Sequence, residues 1–182
     1  MENLSIFNSI VWTVTDPLEE IEIHNEDGEN YKFHHKKTQR LLNKRVFGIE
    51  PGDRVVILVT ENKKDFHNNV KPVVSSEIRK SGKYFTVLDE MKAIHEGFHK
   101  KIPHARLNDN YYLQGSIKRN QYIYSQIGEF NCSDHRVKLI KKYESDKLSP
   151  ADLIDGEFTR FEGFYRGREK YEKYLFLVWG TE

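Results

Sequence analysis

Residues 18–37 read LEEIEIHNEDGENYKFHHKK, and the way this stretch pairs with itself decides the kind of fold that follows. LEEIEIH (18–24) and YKFHH (31–35) alternate apolar and polar residues with the period of a strand, and the NEDGEN between them is turn chemistry. A two-residue Asp27-Gly28 turn would set Ile23 against Lys32 and Glu22 against Phe33, mixing apolar and polar side chains on both faces. A three-residue loop, Glu26-Asp27-Gly28, instead pairs Ile23 with Tyr31, Ile21 with Phe33, Glu22 with Lys32 and Glu20 with His34. The second register is the consistent one. It also puts Gly28 where a type I turn followed by a bulge needs a left-handed residue. The sequence therefore predicts an N-terminal β-hairpin over about residues 18–35, with Ile21, Ile23, Tyr31 and Phe33 on its inner face.

The outer face of that hairpin carries Glu20, Glu22, His24, Lys32 and His34. Carboxylate, imidazole and ammonium groups on a rigid frame are the set needed to cleave RNA without metal. A histidine or carboxylate takes the proton of a ribose 2′-hydroxyl, a second histidine protonates the leaving 5′-oxygen, and Lys32 or Lys36 stabilises the phosphorane. The competing reading is ordinary charge pairing across a wet sheet face.

Charge is polarised along the chain although the formal net charge is only +1. From Glu2 to Glu29 there are eight acids and neither Lys nor Arg; from Lys32 to Arg45 there are six bases and no acid. The segment TQRLLNKRVF (38–47) has helical spacing, so a helix over about 37–46 is predicted, ending before Gly48. It displays the basic block, and His35, Lys36, Lys37, Arg40, Lys44 and Arg45 are the candidate contacts to RNA or another partner. Mutual neutralisation of the acidic and basic segments competes with that reading.

Further along, GDRVVILV (52–59) is a turn followed by a near-continuous apolar run, which reads as a central strand covered on both faces. A second run spans Val70–Ser75. Val87, Met91, Ile94 and Phe98 form one stripe, predicting a second helix over about 87–101. Within it HEGFH (95–99) matches the HExxH pattern, in which His95 and His99 would ligate zinc and Glu96 would activate a water. Gly97 weakens that helix, and Lys100 and Lys101 would put positive charge beside the cation, so no metal or other cofactor is assigned; zinc belongs to the alternative reading only. In the second half, residues 111–128 and 136–143 read as further strands, and Glu157–Tyr165 with Tyr171–Trp179 as an aromatic hairpin interleaved with arginines. Such a pair could stack bases or simply bury one face.

With 182 residues, one cysteine, 37% hydrophobic and 13% aromatic content, the chain reads as a single domain over 1–182 of α+β class. It is predicted to be mainly an antiparallel sheet of hairpins with two helices. Cys132 alone excludes an internal disulfide framework and fits a reducing compartment, and neither a signal peptide nor an 18-residue apolar run is encoded, so the expected location is cytoplasmic, with no membrane contact. Gly-rich phosphate loops, GxGxxG and a nucleophile elbow are all missing, which removes support for nucleotide hydrolysis, dinucleotide chemistry and serine hydrolysis.

A compact chain of this kind, with a polarised charge map and the acidic-then-basic hairpin IEIHNEDGENYKFHHKK (21–37), resembles the type II anti-CRISPR proteins, the Cas9 inhibitors of phages and mobile elements. The resemblance implies a partner, Cas9 or its guide RNA, met in the bacterial host cytosol. It implies one of two modes: occlusion by binding, or an endoribonuclease activity on the guide. It carries no residue assignments. Separately, GDRVVILV resembles the central strand of PUA-like domains such as EVE modules, which implies a barrel-like nucleic-acid reader of a restriction system with an aromatic cage for a flipped base. The HExxH zinc peptidase and a pure protein-binding inhibitor complete the alternatives.

Overall fold

The computed structural model describes residues 9–24, 28–59, 72–108, 111–153, 159–167 and 171–181. The class is α+β. Strands β1 (Ile10–Val11), β2 (Glu22–His24) and β3 (Asn30–Tyr31) form an antiparallel sheet in the order β1-β2-β3. A second sheet has the order β5-β4-β7-β6, from β4 (Arg54–Val59), β5 (Pro72–Glu77), β6 (Thr159–Arg166) and β7 (Tyr174–Thr181). The helices are α1 (Lys36–Leu42), α2 (Val87–His99), α3 (His104–Asn108), α4 (Tyr111–Ile127) and α5 (Asp134–Glu144). The chain groups into two compact units, one of residues 1–57, 75–98 and 157–182, the other of 58–74 and 99–156.

In the first unit the hairpin takes the expected register: Ile23 pairs with Tyr31 and His24 with Asn30. Ile21 and Ile23 turn inward, at 0% and 8% exposure. The expected continuation to Phe33 and His34 does not form, because the carbonyls that would extend the ladder are taken locally. Thr38 Oγ1 donates to Tyr31 O at 2.8 Å, Gln39 Nε2 donates to Phe33 O at 2.7 Å, and His35 N–H closes a turn on Lys32 O at 2.9 Å. On its other edge β2 pairs with β1, Ile10 with Ile23 and Val11 with Glu22. Glu20 lies in a 3₁₀ turn, Leu18–Glu20, ahead of the strand.

β4 sits between β5 and β7, as a central strand should, and Val55, Val56 and Ile57 are buried. β6 and β7 form the expected aromatic hairpin, antiparallel with a bulge between Phe161 and Gly163, where Gly163 has φ 130°. The β4–β7 pairing is parallel, Arg54 to Tyr174 through Val56 to Phe176, a departure from the antiparallel expectation. Phe161 N–H donates to Trp12 O at 3.3 Å, which brings the end of β1 to β6.

Helix α2 matches the second predicted helix closely and opens on a capping box. Thr86 N–H donates to Asp89 Oδ2 at 2.9 Å while Thr86 Oγ1 accepts from Asp89 N–H at 3.3 Å. Its Gly97 lies against β4: a Cβ there would meet Ile57 Cγ1 and would approach Ile57 Cδ1 to 2.7 Å. Gly97 therefore lets the helix approach the sheet closely.

The helical unit is where the expectation of strands fails. Residues 111–127 and 134–144 are helices α4 and α5, so the described residues hold five α-helices where two were predicted. Ser133 Oγ accepts from Arg136 N–H at 3.4 Å at the start of α5. Its end is a Schellman turn, with Asp146 at φ 55° and Lys147 N–H donating to Lys142 O at 2.8 Å. Arg136 Nε donates to Asn120 Oδ1 at 2.9 Å, tying α5 to α4, and Ile102, Leu107, Ile117, Leu139, Ile140 and Leu148 are buried. Asp146 also receives Lys101, and His104 Nε2 lies 3.3 Å from it while stacking on Tyr143 at 5.1 Å.

Candidate nucleic-acid interface

Helix α1 is short and two-faced. Thr38 and Leu42, one turn apart, are buried, while Lys36, Lys37 and Arg40 are exposed. The helix stops at Leu42, earlier than the 37–46 predicted. Asn43 caps it, and Lys44–Phe47 leaves in extended form to lie beside residues 84–87. Val46 N–H donates to Phe85 O at 2.9 Å, Val87 N–H donates to Lys44 O at 3.2 Å, and Arg45 bridges Thr86. Extended backbone alternates its side chains. Val46 is accordingly 5% exposed and in the core, whereas Arg45 and Phe47 face solvent.

The result is an aromatic platform around one guanidinium. Arg45 Cζ lies 4.6 Å from the Phe47 ring centroid and 4.4 Å from that of Tyr84, and Lys83 Nζ lies 5.2 Å from Tyr84. Phe47 is 63% exposed and Tyr84 44%. Two mechanisms hold the platform still. On the Tyr84 side, Asp89 is saturated by Ser81 N–H (3.1 Å), Ser81 Oγ (2.7 Å), Thr86 N–H and Thr86 Oγ1 (both 2.9 Å), which fixes the loop into α2. On the Phe47 side, Arg166 donates to Gly48 O, to Glu172 O at 2.6 Å and to Asp53 Oδ2 at 2.7 Å. Asp53 has no side-chain exposure, also accepts from Glu50 N–H at 2.9 Å, and has Lys173 Nζ at 3.8 Å from Oδ1.

Of the residues predicted to cleave RNA, each has a definite place. Glu22 and His24 share the outer face of β2; His24 is exposed and its Nδ1 donates to Asn30 Oδ1 at 2.7 Å. Glu20 is in the 3₁₀ turn, Lys32 and His34 lie beyond the end of β3, and His34 packs edge-on against Phe33 with centroids 5.2 Å apart. The cross-strand pairs Glu20–His34 and Glu22–Lys32 are therefore not formed. Instead a different set comes together. Tyr31 donates to Glu29 Oε2 at 2.6 Å and accepts from Lys37 Nζ at 2.7 Å, and His35 stacks on Tyr31 at 4.3 Å. His35 Nδ1 accepts Lys37 N–H at 3.2 Å as the N-cap of α1.

His95 is half-buried, and Glu96 and His99 are exposed on α2. Among the described residues no group of three or more His, Cys, Asp or Glu side chains is placed to hold a metal. Gly97 and the buried Phe98 of HEGFH have packing roles, which accounts for the middle of the motif. Sequence reasoning missed Phe47, Lys83 and Tyr84. The signal for Phe47 was its place two residues after Arg45 in an extended stretch; nothing in sequence brings Tyr84 to them. Among the described residues no helix is long and apolar enough to cross a membrane. No family model matches the chain, and no curated protein and no solved structure matches it.

Proposed function

We propose that the protein binds single-stranded nucleic acid, RNA foremost, through the Arg45–Phe47–Tyr84 platform and the exposed cations Lys36, Lys37, Arg40 and Lys44. The observation that carries this reading is the Arg45 guanidinium lying over two solvent-exposed rings beside an acid-free basic helix. Exposed rings stack bases at about 1–3 kcal/mol each, and lysines and arginines take phosphates by releasing counterions. Within the counter-defence reading the RNA is the guide of a Cas9 complex, and the protein inhibits by occlusion. The residues expected to cleave the guide do not share one two-stranded frame, since β3 ends at Tyr31 ahead of Lys32 and His34, and on that ground occlusion is favoured over cleavage.

The test incubates labelled guide RNA with Cas9, the protein and EDTA. Inhibition of Cas9 with the guide intact, lost in Arg45→Ala/Tyr84→Ala, is the expected result; cleaved guide would overturn occlusion, and wild-type inhibition by the double variant would overturn the platform. A second reading, a reader of modified DNA, draws on the place of RVVILV (54–59), the strand of the GDRVVILV run, as β4 between β5 and β7. Preferential binding of methylated over plain duplex DNA would select it.

A further inference from the structure

Helix α4 spans 17 residues, Tyr111–Ile127, without a single Asp or Glu. Its inner side holds Ile117, 3% exposed, and Asn120, which accepts from Arg136 of α5. On the opposite side Gly115, Lys118, Arg119, Tyr122, Ser125 and Gln126 are all exposed. At about 100° per residue they fall within about 60° of Tyr122 on the helix wheel. Tyr122 is 65% exposed, with Lys118 and Arg119 one turn before it. Neither cation pairs with an acid among the described residues. Glu129, the first acid after the helix, is held by Lys141 and accepts from Tyr124 at 3.4 Å.

This face selects among partners by its chemistry. It lacks the apolar stripe that seats a helix in a membrane surface and the apolar centre of a protein interface. Two unpaired cations, an aromatic ring and flanking hydroxyl and amide groups match a phosphodiester strand with unpaired bases.

We propose that the solvent face of α4 is a second nucleic-acid contact, taking phosphates on Lys118 and Arg119 and stacking an unpaired base on Tyr122. This rests on the reading of the protein as a nucleic-acid binder and deepens it. Each compact unit then carries its own contact.

The experiment titrates labelled single-stranded RNA of about 40 nucleotides, longer than the 4–16 nucleotides that one small site typically covers, against the full chain across a salt series. Wild type is compared with Lys118→Gln/Arg119→Gln, with Tyr122→Ala, and with Arg45→Ala/Tyr84→Ala. The double-cation variant should flatten the slope of log affinity against log salt by about 1.4, the release expected for two single-strand phosphates. Tyr122→Ala should weaken binding about fivefold or more. All three α4 positions are exposed, so matched thermal unfolding checks that the variants are folded. Wild-type affinity and slope in both α4 variants, with loss only in Arg45→Ala/Tyr84→Ala, overturns the α4 contact and leaves the platform standing. Loss only in the α4 variants supports the α4 contact and overturns the platform. Failure of the wild-type protein to bind the RNA overturns both.

Discussion

Glu90 is 2% exposed, its Oε2 has no hydrogen-bond partner among the described residues, and it stands beside Asp89, whose oxygens are already saturated. It occupies the face of α2 that carries Gly97 two turns later, the side packed on Ile57. Burial, reinforced by the Asp89 charge, pushes the Glu90 carboxyl from its ordinary 4.5 up to about 8. At neutral pH the folded protein therefore holds this side chain as the neutral acid, while the unfolded chain has ionised it. Between those two values the folded state binds the extra proton, so this group's contribution is intact below about pH 4.5 and is lost as pH rises towards 8. At about 1.4 kcal/mol per pH unit, the loss is roughly 3 kcal/mol at pH 7 and approaches about 5 kcal/mol above pH 8.

Glu90→Gln removes the titration while keeping the shape. Urea unfolding of both proteins at a series of pH values from 5 to 9 should show nearly equal stability at the acidic end. The variant should gain progressively on the wild type, by a few kcal/mol, towards pH 8, and subtracting the two curves cancels the contribution of the histidines. Parallel pH profiles for the two proteins would refute the reasoning, as would a wild type that gains on the variant between pH 5 and 8.

Other expectations concern packing and charge. Gly97→Ala should destabilise the fold by about 1–2 kcal/mol in denaturant unfolding, even though alanine favours helix by about 1 kcal/mol, because the new Cβ would overlap Ile57. Arg166→Met removes the nearer of the two cations at the buried Asp53 carboxylate and should cost about 3 kcal/mol, the low end for breaking a buried pair since the guanidinium is 36% exposed and Lys173 stays at 3.8 Å. The same variant frees Gly48 O and should weaken RNA binding through Phe47, which a filter-binding assay on the folded protein would register. Phe130 is fully exposed at 103%, so Phe130→Ser should leave the unfolding free energy within about 0.5 kcal/mol, and a larger loss would mean that the ring is covered in solution. Glu96→Gln should not change any measured activity, and zinc retained by protein purified without chelator would argue for the peptidase reading instead.

The hairpin register was legible because its faces separate only one way: Ile23 opposite Tyr31 is the arrangement the chain adopts. Its length was not, since the side chains that end it, Thr38 and Gln39, act from the following helix. Helix α2 was visible in the stripe Val87, Met91, Ile94, Phe98. Helices α4 and α5 were hidden by their tyrosine and isoleucine content, which favours strands, although the spacing is helical. Leu113, Ile117 and Tyr124 recur at intervals of four and seven, and Ser133 ahead of Asp134 is a helix-start signal. The exposed basic run Lys36, Lys37, Arg40, Lys44 and Arg45 was legible from charge. The aromatic platform was only half legible, because Tyr84 reaches Arg45 by a pairing between segments some forty residues apart, which local pattern does not encode. The parallel β4–β7 pair was hidden for the same reason.

That pairing bears on how the polypeptide matures on the ribosome. β4 is synthesised early, yet its neighbour β7 emerges about 120 residues later. Meanwhile its apolar run Val55–Ile57 must wait, with one edge of the strand unsatisfied, while the helices of residues 99–156 form from mostly local contacts. Translation stalled before residue 174 would leave that edge open to strand exchange with a neighbouring nascent chain, so intermolecular pairing at β4 is the misassembly this topology has to outrun.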